Sequence, residues 1–188
     1  ANYTKVVLAR LADASPLVKG GAIDASKKLL SAKKPDQKVI DALVATAKAG
    51  DDAVKIAVIQ AFFNVKAVQR PKSMKGPHKK ALVGVTLDLA EAGSPAVQAA
   101  ALDLVARAGY RGLPHKARAV KLAQTHAAGK DPGLKGLAVR ALAAVATDKE
   151  LDAWGKTFYA ALADASPFVR ASAAISVGRA KWAAGAHG

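Results

Sequence analysis

The sequence predicts an all-α chain of ten helices in five hairpins, stacked side by side as an α-solenoid. Three observations predict it. A short motif recurs five times at nearly constant spacing, each copy carries residues that start a helix, and no segment alternates with the period of two that a strand requires. An apolar fraction of 52% supplies a core, but only 5% of the chain is aromatic and much of the remainder is alanine. Small side chains in that quantity suit helices that approach closely along their length.

The elements follow in order. Thr4 to Ala12 supplies the first helix. Ser15-Pro16 then opens a second, whose stripe begins at Val18, Ala22 and Ile23. Pro35 marks a third, with Val39, Ile40, Leu43 and Val44 on one face, and Asp51 starts a fourth through Val54, Val58 and Ile59. Pro77 marks the fifth, carrying Leu82, Val83, Val85, Leu87 and Leu89, and Ser94-Pro95 starts the sixth with Val97, Ala101 and Leu102. The seventh begins near Pro114 and the eighth at Asp131-Pro132; Leu151 to Ala163 is the ninth and Ser166-Pro167 opens the tenth. The second helix of each hairpin has one logic. Ser or Asp (Ser15, Asp51, Ser94, Asp131, Ser166) stands where an N-cap side chain accepts bonds from free backbone N–H groups. In four of the five copies Pro follows, at the first helical position, where its missing N–H costs nothing.

Asp13 to Lys19 (Asp-Ala-Ser-Pro-Leu-Val-Lys) returns as Asp164 to Arg170 (Asp-Ala-Ser-Pro-Phe-Val-Arg). The looser copies are Gly50-Asp51-Asp52-Ala53-Val54-Lys55, Gly93-Ser94-Pro95-Ala96-Val97-Gln98 and Lys130-Asp131-Pro132-Gly133-Leu134-Lys135. Cap-to-cap spacings of 36, 43, 37 and 35 residues divide the chain into repeats near 1–31, 32–70, 71–109, 110–146 and 147–182, within a single domain. This pattern over residues 3–182 resembles the HEAT repeat. The resemblance implies that Lys19, Lys55, Lys135 and Arg170 are structural, pairing with acidic turn residues in a ladder between repeats. Gln98 departs from that position. Asp13 and Asp164 are the acids in register, and the middle repeats lack one, which implies an incomplete ladder.

The spacing of 43 locates an insertion of about six residues between the second and third hairpins. Insertions in repeat proteins collect on one face, often the binding face. This one lies in residues 66–80, with Lys66, Arg70, Lys72, Lys75, Lys79 and Lys80 and no acid. Two other inter-hairpin connections are also basic. Residues 27–38 carry Lys27, Lys28, Lys33, Lys34 and Lys38 against Asp36, and residues 107–121 carry Arg107, Arg111, Lys116, Arg118 and Lys121 with no acid. These three stretches hold the whole net charge of +15. In a solenoid they share one edge, so a basic rim is expected there, built from Lys33, Lys34, Lys38, Lys66, Arg70, Lys72, Lys75, Lys79, Lys80, Arg111, Lys116 and Arg118. The plain alternative is solubility of an Ala-rich chain and compensation of helix dipoles. A field of this sign attracts polyanions. Twelve of the sixteen basic residues in the belt are Lys, which suits sequence-independent contact rather than bidentate readout. Tyr110 alone is aromatic there, too little for single-strand stacking.

Chemistry finds little purchase. Cysteine is absent, which excludes disulfides, thiolate metal sites and a cysteine nucleophile. His78, His115, His126 and His187 have no metal-ligand spacing, and none precedes Glu as in the HEAT-like metal hydroxylases. His78 and His115 each follow Pro and precede Lys, as surface residues of a helical first turn. Ser15, Ser94 and Ser166 are explained by helix starts. Gly20-Gly21 reads as a close-packing point or a bend. Trp154, Phe158 and Tyr159 read as core or end-cap packing. Asp152 beside Trp154 is the nearest approach to the acid and aromatics of HEAT-like DNA glycosylases. Trp182 is placed to cover the last repeat. No apolar run reaches the ~18 residues a membrane span needs, so the chain reads as soluble. The expected role is a non-catalytic scaffold or adaptor without cofactor or metal. Its expected partner is a protein with an acidic surface, engaged through the concave face of the second helices and the rim. The alternative is a nucleic-acid binder gripping the phosphate backbone; no small-molecule substrate is indicated.

Overall fold

A computed structural model describes residues 2–32, 35–63, 77–108 and 114–179. Among the described residues there are eleven helices and no strand. They are α1 (Asn2–Leu11), α2 (Pro16–Leu30), α3 (Gln37–Ala49), α4 (Asp52–Phe62), α5 (Pro77–Glu91), α6 (Pro95–Ala108), α7 (Lys116–Ala127), α8 (Pro132–Val145), α9 (Asp148–Ala153), α10 (Gly155–Leu162) and α11 (Pro167–Arg179). The chain divides into two compact units, Ala1–Leu104 and Val105–Gly188, with the boundary inside α6.

Helix starts are set by carboxylates more than by hydroxyls. Asp51 accepts from the Val54 amide at 2.9 Å and Asp131 from the Leu134 amide at 3.0 Å, as an N-cap should. Asp36 does the same for Lys38, and so starts α3 two residues after Pro35. Ser15 departs from expectation, since its side chain makes no cap bond. Instead Asp13 accepts from the Ser15 amide at 2.9 Å, and Asp164 accepts from the Ser166 amide at the same distance. An ionised acceptor makes the stronger bond, so the work moves two residues upstream. The Ser94 hydroxyl is buried without a partner.

Two more elements differ from the sequence reading. The expected helix over Leu151 to Ala163 is two helices. Thr147 and Glu150 close a capping box that starts α9 earlier, at Asp148, and Trp154 leaves helical geometry at φ −96° and ψ 7°. Gly155, a poor helix former, follows at once, and the Trp154 carbonyl accepts from Thr157 and Phe158 to begin α10. Helix α7 begins at Lys116, not Pro114, because His115 adopts a left-handed backbone (φ 55°) rather than a helical one.

Within the first unit α1 packs on α2 and α3, α2 on α3 and α4, α3 on α4 and α5, and α4 on α5. Within the second, α7 packs on α8, α8 on α10 and α11, α9 on α10, and α10 on α11. Helices α1 to α4, α8 and α11 therefore meet both the helix they are joined to by a short turn and one two or three elements away. Among the described residues the cores are mainly Leu, Val, Ile and Ala, joined by one fully buried ring in each unit, Phe62 in the first and Phe158 in the second. Small residues let the backbones close in. At Gly50 and Gly93, just before the second helix of a hairpin, a Cβ would run into Val54 or Val97 and a backbone carbonyl. At Gly136 it would stand 2.5 Å from the Phe168 ring. Gly20 and Gly21, by contrast, have open space beside them, so neither is a close-packing point.

Candidate binding surface

The described features that could engage a partner lie along the seams between adjoining hairpins. In the second unit, a groove of about 510 Å³ runs between α7, α8 and α10. Gln124, Ala127 and Lys135 line one side, and Trp154, Thr157 and Ala160 the other. In the first unit, a groove of about 340 Å³ is lined by Leu8, Leu11, Lys19, Ala42, Ala45, Thr46 and Ala49. Aligned on the helix starts Ser15 with Asp131 and Asp51 with Ser166, the two grooves are built from the same repeat positions. Leu8 matches Gln124, Lys19 matches Lys135, and Ala42 and Ala45 match Thr157 and Ala160.

One substitution separates them electrically. Asp164 donates no proton but accepts from the Lys135 ammonium at 2.6 Å, joining α8 to the turn before α11. These are two of the residues that the resemblance to the HEAT repeat expected to pair. The Lys135 ammonium, then the Ser166 amide, hold the Asp164 carboxyl below its ordinary range. At the matching place in the first unit Ala49 faces Lys19, and no rung can form. The other two ladder positions are answered locally: Lys55 lies 3.6 Å from Asp52 in its own helix. Arg170 donates to the carbonyls of Asp164 and Ala165 at 2.8 Å.

A second bridge in the same unit was not anticipated. Lys116 at the start of α7 donates to Glu150 at 2.5 Å. Glu150 in turn accepts from the Thr147 amide and hydroxyl, both at 2.7 Å. Lys116 foremost, then Thr147, pushes the Glu150 carboxyl down from 4.5 to about 2. The Thr-x-x-Glu spacing of a capping box was the available signal for the acid's position; its distant lysine partner had none.

Of the expected rim, Lys38 is exposed on α3 and Lys80 on α5, Arg118 is half-buried on α7, and Lys116 is held by Glu150 as above. Lys33, Lys34, Lys66, Arg70, Lys72, Lys75 and Arg111 lie outside the described residues, as do the side chain of Lys79 in α5 and the expected end-cap Trp182. Lys27 meets Asp24 at 2.6 Å, and Lys28 stands 5.8 Å above the Tyr3 ring.

The aromatics divide as core and surface. Phe158 is buried and Tyr159 is 47% exposed, with Trp154 half-buried in the groove. Burial lowers the pKa of His126, against a smaller opposing pull from Asp131. Among the described residues no cluster of His, Asp and Glu could hold a metal ion, and no helix is long and apolar enough to cross a membrane. No protein-family model matches the chain, and no curated protein matches it.

Proposed function

We propose that this chain is a non-catalytic HEAT-type helical-repeat scaffold that binds an acidic protein surface through its second helices and a Lys-rich rim. The observation that carries the reading is the placement of the entire net charge of +15 in three of the stretches between hairpins. Hairpin-on-hairpin packing within each unit and the Lys135–Asp164 rung support the repeat architecture. Lys in the majority supports a partner met by charge and shape rather than by bidentate recognition. A fold of this kind hosts many functions, so the rim and not the architecture names the partner's chemistry.

Two measurements test it. Replacing Lys72, Lys75, Lys79 and Lys80 by Glu weakens binding to an acidic probe, poly-glutamate or an acidic protein, while helix content by circular dichroism stays constant. Equal binding by the quadruple variant sinks the rim. Mobility shifts with random duplex DNA and RNA at ~150 mM salt address the competing partner. A shift whose affinity falls with salt at a slope of about 0.9 per neutralised phosphate replaces the acidic protein with a nucleic-acid backbone.

A further inference from the structure

The groove of the first unit holds a cation that no acid meets. Lys19 is half-buried there, and among the described residues no carboxylate pairs with its ammonium. Of the residues lining this groove, Lys19 alone is charged. Thr46, the other polar one, is already satisfied: its hydroxyl donates to the Ala42 carbonyl at 2.8 Å and lies 3.3 Å from that of Leu11. An ammonium offers three donors and accepts nothing. The group this groove lacks is therefore an acceptor, and an ionised one makes the stronger bond.

The second unit shows which acceptor fits. Every residue lining the smaller groove except Ala49 has its counterpart lining the larger one. The counterpart of Ala49 is Asp164, whose carboxylate accepts from the Lys135 ammonium at 2.6 Å. The two sites thus differ by one carboxylate, supplied from within in one and left out of the other. Ala49 is exposed, as are Ala12 and Ala45, so an acid arriving from solvent displaces no side chain. Ala45 and Ala49 stand one turn apart on the same face of α3, and their small side chains let a second backbone come close. A groove of about 340 Å³ that is open along its alanines does not enclose a small molecule, whose sites bury most of the ligand. It suits a chain laid across it.

We propose that Lys19 receives an Asp or Glu side chain of a protein partner, presented by a stretch of small apolar residues that lies along Ala45 and Ala49. This rests on the reading of the partner as an acidic protein and adds a contact outside the Lys-rich rim. It repeats between two molecules the bond that Asp164 makes to Lys135 within this chain.

A nuclear magnetic resonance titration of the whole chain tests this, with the blocked peptide Ala-Leu-Ala-Asp-Ala-Ser, the stretch that carries Asp164 to Lys135. The amides of Lys19, Ala45 and Ala49 shift together, and Asn in place of the peptide's Asp weakens binding roughly tenfold. Lys19→Met keeps the stem without the charge and brings the Asp peptide down to the level of the Asn peptide. Ala49→Asp supplies the acid from within and abolishes binding, at unchanged helix content. Replacing Lys72, Lys75, Lys79 and Lys80 by Glu leaves the shifts in the groove as they were, so the rim and the groove fail separately. Loss of those shifts in the rim variant moves the acid to the rim and overturns the groove. Equal binding of the two peptides, shifts that bypass the groove, or full binding after Lys19→Met or Ala49→Asp each overturns the proposal. Hexanoate bound as tightly as the peptide overturns it too, because the occupant is then a free carboxylic acid.

Discussion

Asp13 and Ser15 sit two positions apart, and their side chains do opposite amounts of work. The carboxylate holds the Ser15 amide at 2.9 Å, while the Ser15 hydroxyl makes no cap bond. Asp13→Ala therefore costs about 1 kcal/mol and Ser15→Ala only a few tenths, as read from urea midpoints. The larger loss falling on Ser15 would contradict the assignment. Glu150 makes a pH-dependent claim of the same local kind. Its folded pKa of about 2 lies below the ordinary 4.5. The carboxylate's stabilisation is thus fully present above pH 4.5 and is lost as pH falls toward 2. The pair is a quarter to a third exposed, so solvent screening leaves about 1 kcal/mol of it. Glu150→Gln flattens the urea midpoint across that interval and lowers it above; an unchanged acid limb would dismiss the pair as a contributor.

Helix α8 shows how a missing side chain places a neighbour. Gly136 leaves the room that the Phe168 ring of α11 occupies, and Ser172 lies on the same side. Gly136→Ala adds helix propensity worth about 1 kcal/mol, which offsets the shift of a ring that is partly exposed and free to move. Gly136→Leu has no such compensation and destabilises by about 2 kcal/mol through overpacking. Thermal denaturation of the two variants distinguishes them, and equal midpoints would show that α11 does not need the glycine. The break at Trp154 is the other lesson of this level. A capping box upstream and a glycine downstream divide one apolar stripe into α9 and α10. The apolar pattern continues across the break, so hydrophobic periodicity alone runs the two together. Backbone bonds at Trp154 divide them.

Across the whole chain the excess of positive charge is a cost to compactness as well as a means of recognition. Reversing Lys72, Lys75, Lys79 and Lys80, two charges each, takes the net charge from +15 to +7. That variant melts higher than the parent in low salt, and the difference vanishes at ~1 M salt, where the screening length falls to ~3 Å. A lower melting point in low salt would mean that these lysines make favourable contacts in the folded chain.

The helical class and most of the helix starts were readable before any coordinates. Each rests on neighbours in sequence: a proline at a first helical position, an apolar stripe of period 3.6, a turn acid two residues before a cap. The carboxylate caps at Asp51 and Asp131 belong with them. What needed the tertiary structure were pairings between residues far apart in the chain. Lys116 with Glu150, Lys135 with Asp164, Gly136 beneath Phe168 and the matching of two grooves all depend on how close one hairpin comes to the next. That distance is set by side-chain volume at the seam, which no local pattern encodes. Lys19 and Lys135 occupy the same place in the motif, and only the residue facing each, Ala49 or Asp164, decides which of them is paired.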